Sequence, residues 1–232
     1  MRLILKNIIT LKTLKKIRER LVRKIISPII LSIKSLNKKS VFLDCGAYDG
    51  CSALKAATLY PFIDQIISFE ADTRMWRKEA SAVATLMPFA VWTENKEIEF
   101  QIIIKNKYGT NFAGAGSLIN KKMEFNNVAH QKTKIIKTQA IDITEWILKN
   151  YSIKDNVILK LDIEGAEYPI LKKLIEKEVY KLVNLLYIEW HPEYSPFSKR
   201  ETKEITDLVY KKFQKVKFWD SMQYEKNTGV NN

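Results

Sequence analysis

The sequence predicts an α/β chain: a largely parallel sheet with helices on both faces, preceded by a basic helical extension. Three observations carry that reading. From residue 41 short apolar runs alternate with helix-compatible segments, the pattern of a covered parallel sheet. The first run passes straight into a glycine turn, Val41-Phe-Leu-Asp-Cys-Gly-Ala-Tyr-Asp-Gly50. The polar residues Asp44, Glu70, Asp162 with Glu164, and Glu189 with His191 all fall just past apolar runs. In an open parallel sheet, strand C-terminal ends converge on one crevice.

In chain order, Ile4, Ile8, Leu11, Leu14, Ile17, Leu21 and Ile25 recur at helical steps, giving an amphipathic helix with a basic opposite face. Pro28 ends or kinks it. Residues 41–44 form the first strand, 52–59 a helix ending before Pro61, and 65–69 the second strand. A helix is expected over 73–86 and a third strand over 88–92. Residues 97–105 have strand chemistry, and 109–120 make a glycine-rich loop in which Gly114-Ala-Gly-Ser117 is a candidate pocket wall. A short strand at 134–138 precedes a helix from Asp142 or Thr144 to about 149. Residues 157–161 and 185–189 read as buried strands, with a helix at 168–177 that tolerates Pro169 in its first turn. A helix from 199 to 213 and a strand at 216–219 close the pattern. Without repeats or a low-complexity linker, the organisation is an extension over 1–40 and one domain over 41–232.

The net charge of +13 suggests nucleic acid until it is located. Residues 1–40 hold twelve Lys and Arg against the single acid Glu19, leaving the domain close to neutral. That leaves no basic channel on the domain and argues against nucleic acid. The arm fits a helix packed on the domain, a membrane-surface or protein-docking element over residues 1–27, or a phosphate-binding arm. Cys45 and Cys51 read as reduced packing residues, which points to a cytoplasmic setting, membrane-associated if the arm is an anchor. No apolar run approaches the ~18 residues of a membrane span.

Glycines in the turn permit close backbone approach, and the following helix N-terminus offers N–H groups to a polar ligand. Twenty residues after Gly50, Glu70 ends the second strand, where α/β nucleotide sites grip ribose hydroxyls. The dinucleotide fingerprint needs three glycines as G-x-G-x-x-G, and this turn has two in another frame. An adenosine ligand without a pyrophosphate is indicated, and S-adenosylmethionine fits best.

Asp44-Cys-Gly-Ala-Tyr-Asp-Gly50, Phe69-Glu70, Phe89-Ala90-Val91, Leu159-Lys-Leu-Asp-Ile-Glu-Gly-Ala-Glu167 and Ile188-Glu-Trp-His191 resemble the FkbM-type S-adenosylmethionine-dependent methyltransferases. The resemblance covers roughly residues 41–192. The run Lys160-x-Asp162-x-Glu164-Gly165-x-Glu167 is its most specific element. Where the family usually has Pro after Phe-Glu, this chain has Ala71-Asp72. The resemblance implies a Rossmann-like class I methyltransferase fold with a mostly parallel seven-stranded sheet. It also implies methyl transfer to a hydroxyl of a sugar or other natural product.

On this reading Asp44 orients the turn and bonds the methionine amino group, directly or through water, and Gly46 admits the cofactor. Ala47 and Gly50 complete the turn, Glu70 takes the ribose hydroxyls beside Ala71, and Ala90 and Val91 border the adenine. A sugar hydroxyl is a poor nucleophile, so a base or a Lewis-acid metal belongs at the acceptor. Asp162 is the first candidate. His191 is the second, since an ordinary imidazole near pKa 6.5 suits neutral proton transfer. Glu189 and Glu164 are further candidates, and Asp162 with Glu189 could hold magnesium. Glu164 and Glu167 suit a helix N-terminus in any case, and His130 lies in a polar loop. The competing expectations are an RNA 2′-O or base methyltransferase using the arm on phosphates, and a membrane-docked binding module without a reaction.

Overall fold

The computed structural model describes residues 38–105 and 132–219. The helix expected over residues 1–27, the loop at 109–120 and His130 lie outside the described residues. A unit Met1–Lys38 precedes a unit Lys39–Asn232, and every described element belongs to the second.

Strand β1 (Ser40–Cys45) sits at the centre of the sheet because it is apolar on both sides. Val41, Leu43 and Cys45 face one layer of helices and Phe42 the other, as the two-residue period of a strand requires. A helix, α1 (Cys51–Leu59), leads to β2 (Gln65–Phe69). Next come β3 (Thr85–Met87), β4 (Ala90–Trp92), β5 (Lys96–Lys105) and β6 (Lys132–Asp142). The chain continues through α2 (Ile143–Asn150), β7 (Asn156–Leu161), α3 (Glu167–Glu176), β8 (Val183–Ile188), α4 (Lys199–Lys212) and β9 (Val216–Phe218). Six strands form one sheet in the order β3-β2-β1-β7-β8-β9, and every pairing in it is parallel. Among the described residues this sheet has six strands, where seven were expected. A smaller sheet, β4-β6-β5, pairs β4 with β6 in parallel and β5 with β6 antiparallel.

Helices cover both faces. Ala53 and Ala56 of α1 pack on Phe42, Ile66, Ile158 and Trp219. On the other face Ile143 and Ile147 of α2, Leu171 and Leu174 of α3, and Val209 of α4 pack on Leu43, Leu159 and Leu186. Each such buried aliphatic side chain is worth roughly 1.5–3 kcal/mol, so the sheet is fixed from both sides. Asp142 ends β6 and caps α2, accepting from Thr144 N at 2.9 Å, and its other oxygen is paired with Lys173 of α3. Ser198 and Glu201 form a capping box at the start of α4.

Three expectations change. Residues 73–86 do not form a helix: the segment holds two single 3₁₀ turns, Thr73–Met75 and Ala80–Ala82, before β3. Tertiary partners outcompete the helix here. Arg77 N donates to Asp49 O, Arg74 is tied to Asp72 and to Ile103 O, and Ala80 packs against Gly50. The strand expected over 88–92 is shorter, Ala90–Trp92, and a separate strand, Thr85–Met87, begins within the span read as helix. Thr85–Met87 joins the large sheet, while Ala90–Trp92 leaves it for the small one. Pro88 between them has no N–H to continue the ladder. The short strand expected at 134–138 extends over Lys132–Asp142 as the middle of the small sheet.

Candidate active site

The strand order reverses between β1 and β7: the chain builds β2 and β3 on one side of β1, then β7, β8 and β9 on the other. Such a switch point opens a crevice beyond the strand C-termini. The glycine turn leaves β1 on one side of it, and Asp162 leaves β7 on the other.

In the turn, Gly46 N and Ala47 N donate to Phe69 O at 3.0 and 3.1 Å, which ties the turn to the end of β2. Tyr48 adopts φ 49°, and its N–H donates to Glu70 Oε2 at 2.7 Å. Asp72 N donates to Glu70 Oε1 at 2.7 Å. Burial raises the Glu70 pKa to about 7, against the opposing pull of those two N–H bonds. Each carboxylate oxygen still has a second lone pair for a ligand.

The glycines serve the protein's own packing. Gly46 has φ +77°, and a Cβ there would lie 1.8 Å from the Asp162 carbonyl oxygen. Its freedom was expected to admit a cofactor, and it is used to admit the turn after β7. A Cβ on Gly50 would meet Ala80 at 2.3 Å. At the helix N-terminus, expected to offer N–H groups to a ligand, the Cys51 N–H is taken by Asp49 Oδ1 at 2.9 Å, and Asp49 also pairs with Arg77 at 2.7 Å.

Asp44 is 0% exposed. Its Oδ2 accepts from Ser52 and Ser68, at 2.5 and 3.2 Å. Its Oδ1 lies 3.1 Å from Lys160 Nζ, an ion pair without hydrogen-bond alignment. Asp44 therefore ties the end of β1 to α1 and β2, and its side chain has no exposed edge for a direct bond to a methionine amino group. Ala47 is buried, and Ala71 packs against the cluster of Ala90, Phe100 and Ile102. Ala90 and Val91 are themselves buried in β4.

Across the crevice Asp162 is 22% exposed in its side chain, with Oδ2 3.3 Å from Lys160 Nζ. Glu189, half-buried past β8, has a raised pKa, first from burial and then from the Asp162 charge. Glu164 adopts φ 57° and Gly165 φ 101°. Gly165 packs so closely on Tyr194 that a Cβ would meet its carbonyl oxygen at 2.5 Å. Glu167 is wholly buried. It accepts from Ile163 N and Gly165 N at 2.8 Å each and lies 3.0 Å from His191 Nδ1. Glu164 Oε2 lies 3.9 Å from His191 Nε2.

Burial opposes the charged form of His191, but the bond to Glu167 and the charges of Glu167, Glu164 and Asp162 outweigh it and lift the pKa to about 9. This environment runs against the expectation of a neutral base near 6.5. The Glu167 contact and the surrounding carboxylates favour the imidazolium at neutral pH, a form with no free nitrogen to accept a proton.

Lys160, which the sequence marked only as part of a motif, is the residue that joins the two halves. Besides its two carboxylates it donates to Gly46 O at 2.7 Å. The signal was present in the sequence: one lysine inside the otherwise apolar buried run Val157-Ile-Leu-Lys-Leu161. Glu167 was likewise read as a helix-end charge, not as the anchor of His191. Ser52 and Ser68 carried no signal beyond their positions.

A family model described as the Methyltransferase FkbM domain matches residues 44–218, more than half of the 232-residue chain. The chain belongs to the FkbM methyltransferase family. No curated protein and no solved structure matches it. The matched span covers both halves of the crevice, from Asp44 to β9. Membership bears out the mixed α/β, Rossmann-like methyltransferase fold and a methyltransferase activity. Such a methyltransferase implies S-adenosylmethionine as donor, and the described residues fit it. Glu70 offers two carboxylate lone pairs at the end of β2, and the glycine turn lies at the switch point. Magnesium gains no such support: among the described residues, no three His, Cys, Asp or Glu side chains are grouped to hold a metal ion. Among the same residues, no helix is long and apolar enough to cross a membrane.

Proposed function

We propose that this FkbM methyltransferase transfers a methyl group from S-adenosylmethionine to a hydroxyl oxygen of a sugar or glycan. The observation that carries the reading is the pair of carboxylates Asp162 and Glu189, at the ends of the neighbouring strands β7 and β8, across the switch point from Glu70. S-adenosylmethionine supplies an electrophilic methyl on a sulfonium whose departure needs no acid. The protein's tasks are alignment and removal of the hydroxyl proton.

Glu70 and the turn hold the nucleoside side. Asp162 faces the acceptor and receives the proton as the new C–O bond forms. Glu189 shares that proton, since burial and the Asp162 charge raise its proton affinity. His191, pinned as a cation by Glu167, orients Glu164 and does not act as the base. Carboxylates that accept hydrogen bonds from several hydroxyls suit a polyol acceptor.

The test is transfer of label from the methyl of S-adenosylmethionine to a panel of oligosaccharides and nucleotide sugars. Wild-type protein is expected to label a carbohydrate. Asp162→Ala is expected to bind the cofactor with little change and to lose turnover by about 10²-fold or more. Retained turnover in that variant removes Asp162 from the mechanism, and label on no carbohydrate removes the substrate class.

A further inference from the structure

Lys160 is 1% exposed, and its oxygen partners Gly46 O, Asp44 and Asp162 lie at the crevice. A buried ammonium is retained only where its partners compensate for lost hydration. Asp44 alone, its register partner across β1 and β7, would provide that charge balance. The other two contacts reach different chain segments. One is the Gly46 carbonyl in the cofactor turn, and the other is the Asp162 carboxylate past β7.

These segments are already in close contact, since the Cα of Gly46 packs on the Asp162 carbonyl and Asp162 N donates to Cys45 O at 3.2 Å. The Gly46 peptide in turn bonds Phe69 O, next to Glu70, and Tyr48 N holds Glu70 itself. A continuous chain of contacts therefore runs from Asp162 through Lys160 and Gly46 to Glu70.

We infer that Lys160 is a positioning residue: it sets the acceptor carboxylate Asp162 relative to the cofactor turn, without touching either ligand. The inference rests on the reading of the two sides given above. Alignment of donor and acceptor is where methyl transfer gains its rate, and a displacement of about 1 Å can cost about 10²-fold.

The experiment uses the full chain as wild type, Lys160→Met and the charge-neutral pair Asp44→Asn/Lys160→Met. A buried ion pair replaced by neutral groups of similar size usually keeps its stability, so the double variant separates folding from positioning, and Asp44→Asn alone, expected to leave 162–167 at wild-type exchange, separates Lys160 from Asp44. Hydrogen exchange by mass spectrometry is read on peptides covering 44–51, 162–167 and the strands β7 and β8, with thermal melting alongside. Titration with S-adenosylhomocysteine follows. The expected result is a double variant that melts near wild type, exchanges about tenfold faster in both turns but not in β7 or β8, and binds the probe about tenfold more weakly or worse. Wild-type exchange in both turns overturns the inference, as does loosening spread evenly through β7 and β8. Loss of the fold in both Lys160→Met variants also makes Lys160 a structural ion only. If wild-type protein fails to bind the probe while the turns loosen as expected, the cofactor reading falls and the link through Lys160 stands.

Discussion

His191 shows how a single buried neighbour changes what a residue can do. Read along the chain it is a histidine after a strand, with the pKa of an ordinary imidazole. In the fold Glu167 lies 3.0 Å from its Nδ1 with no solvent between, and the imidazolium is favoured up to about pH 9. The consequence for stability follows from linkage. A group whose pKa is higher folded than unfolded stabilises the fold fully below its unfolded value, near 6.5, and that stability is lost as pH rises through 9. Between pH 7.5 and 9.5 the loss is about 2 kcal/mol. Urea unfolding at those two pH values is expected to show it, and His191→Gln is expected to flatten the dependence. A wild-type midpoint independent of pH over this range contradicts the assignment.

At the scale of elements, Asp142 belongs to three of them at once. It ends β6, caps α2 and holds Lys173 of α3. Its role as a helix start was legible, because an Asp before an apolar-periodic run is a cap signal. Its pairing with a lysine 31 positions on was not, because only the packing of α3 brings Lys173 there. Asp142→Ala is expected to cost about 3 kcal/mol, from the lost cap and a partly buried lysine left unpaired. Denaturant unfolding measures it, and a cost below about 0.5 kcal/mol would place the junction elsewhere. The segment at 73–86 teaches the same point from the opposite side. Its composition favours a helix, but Arg77, Arg74 and Ala80 each find a partner far along the chain, and the local preference yields. Most strands, by contrast, were legible to within a few residues, since apolar runs bounded by turn residues need no distant partner to be recognised.

For the molecule as a whole, the parallel order β3-β2-β1-β7-β8-β9 turns residues scattered over positions 44 to 191 into two facing groups. The sequence showed that Asp44, Glu70, Asp162, Glu189 and His191 lie at strand ends. It did not show that Lys160 ties Asp44 to Asp162, or that Gly46 makes room for protein backbone. Those are properties of strand register and of turns packed against each other. The central claim is that this crevice holds S-adenosylmethionine with Glu70 as its grip. Calorimetric titration of the cofactor into wild type and Glu70→Ala, repeated from pH 6 to 8.5, tests it most directly. Wild type is expected to bind, with affinity falling as pH drops through about 7, where Glu70 takes up its proton. Glu70→Ala is expected to lose about ten- to hundredfold in affinity, the worth of hydrogen bonds to a charged group, and to lose that pH dependence. Equal affinity in the two proteins, or none in either, would contradict the account.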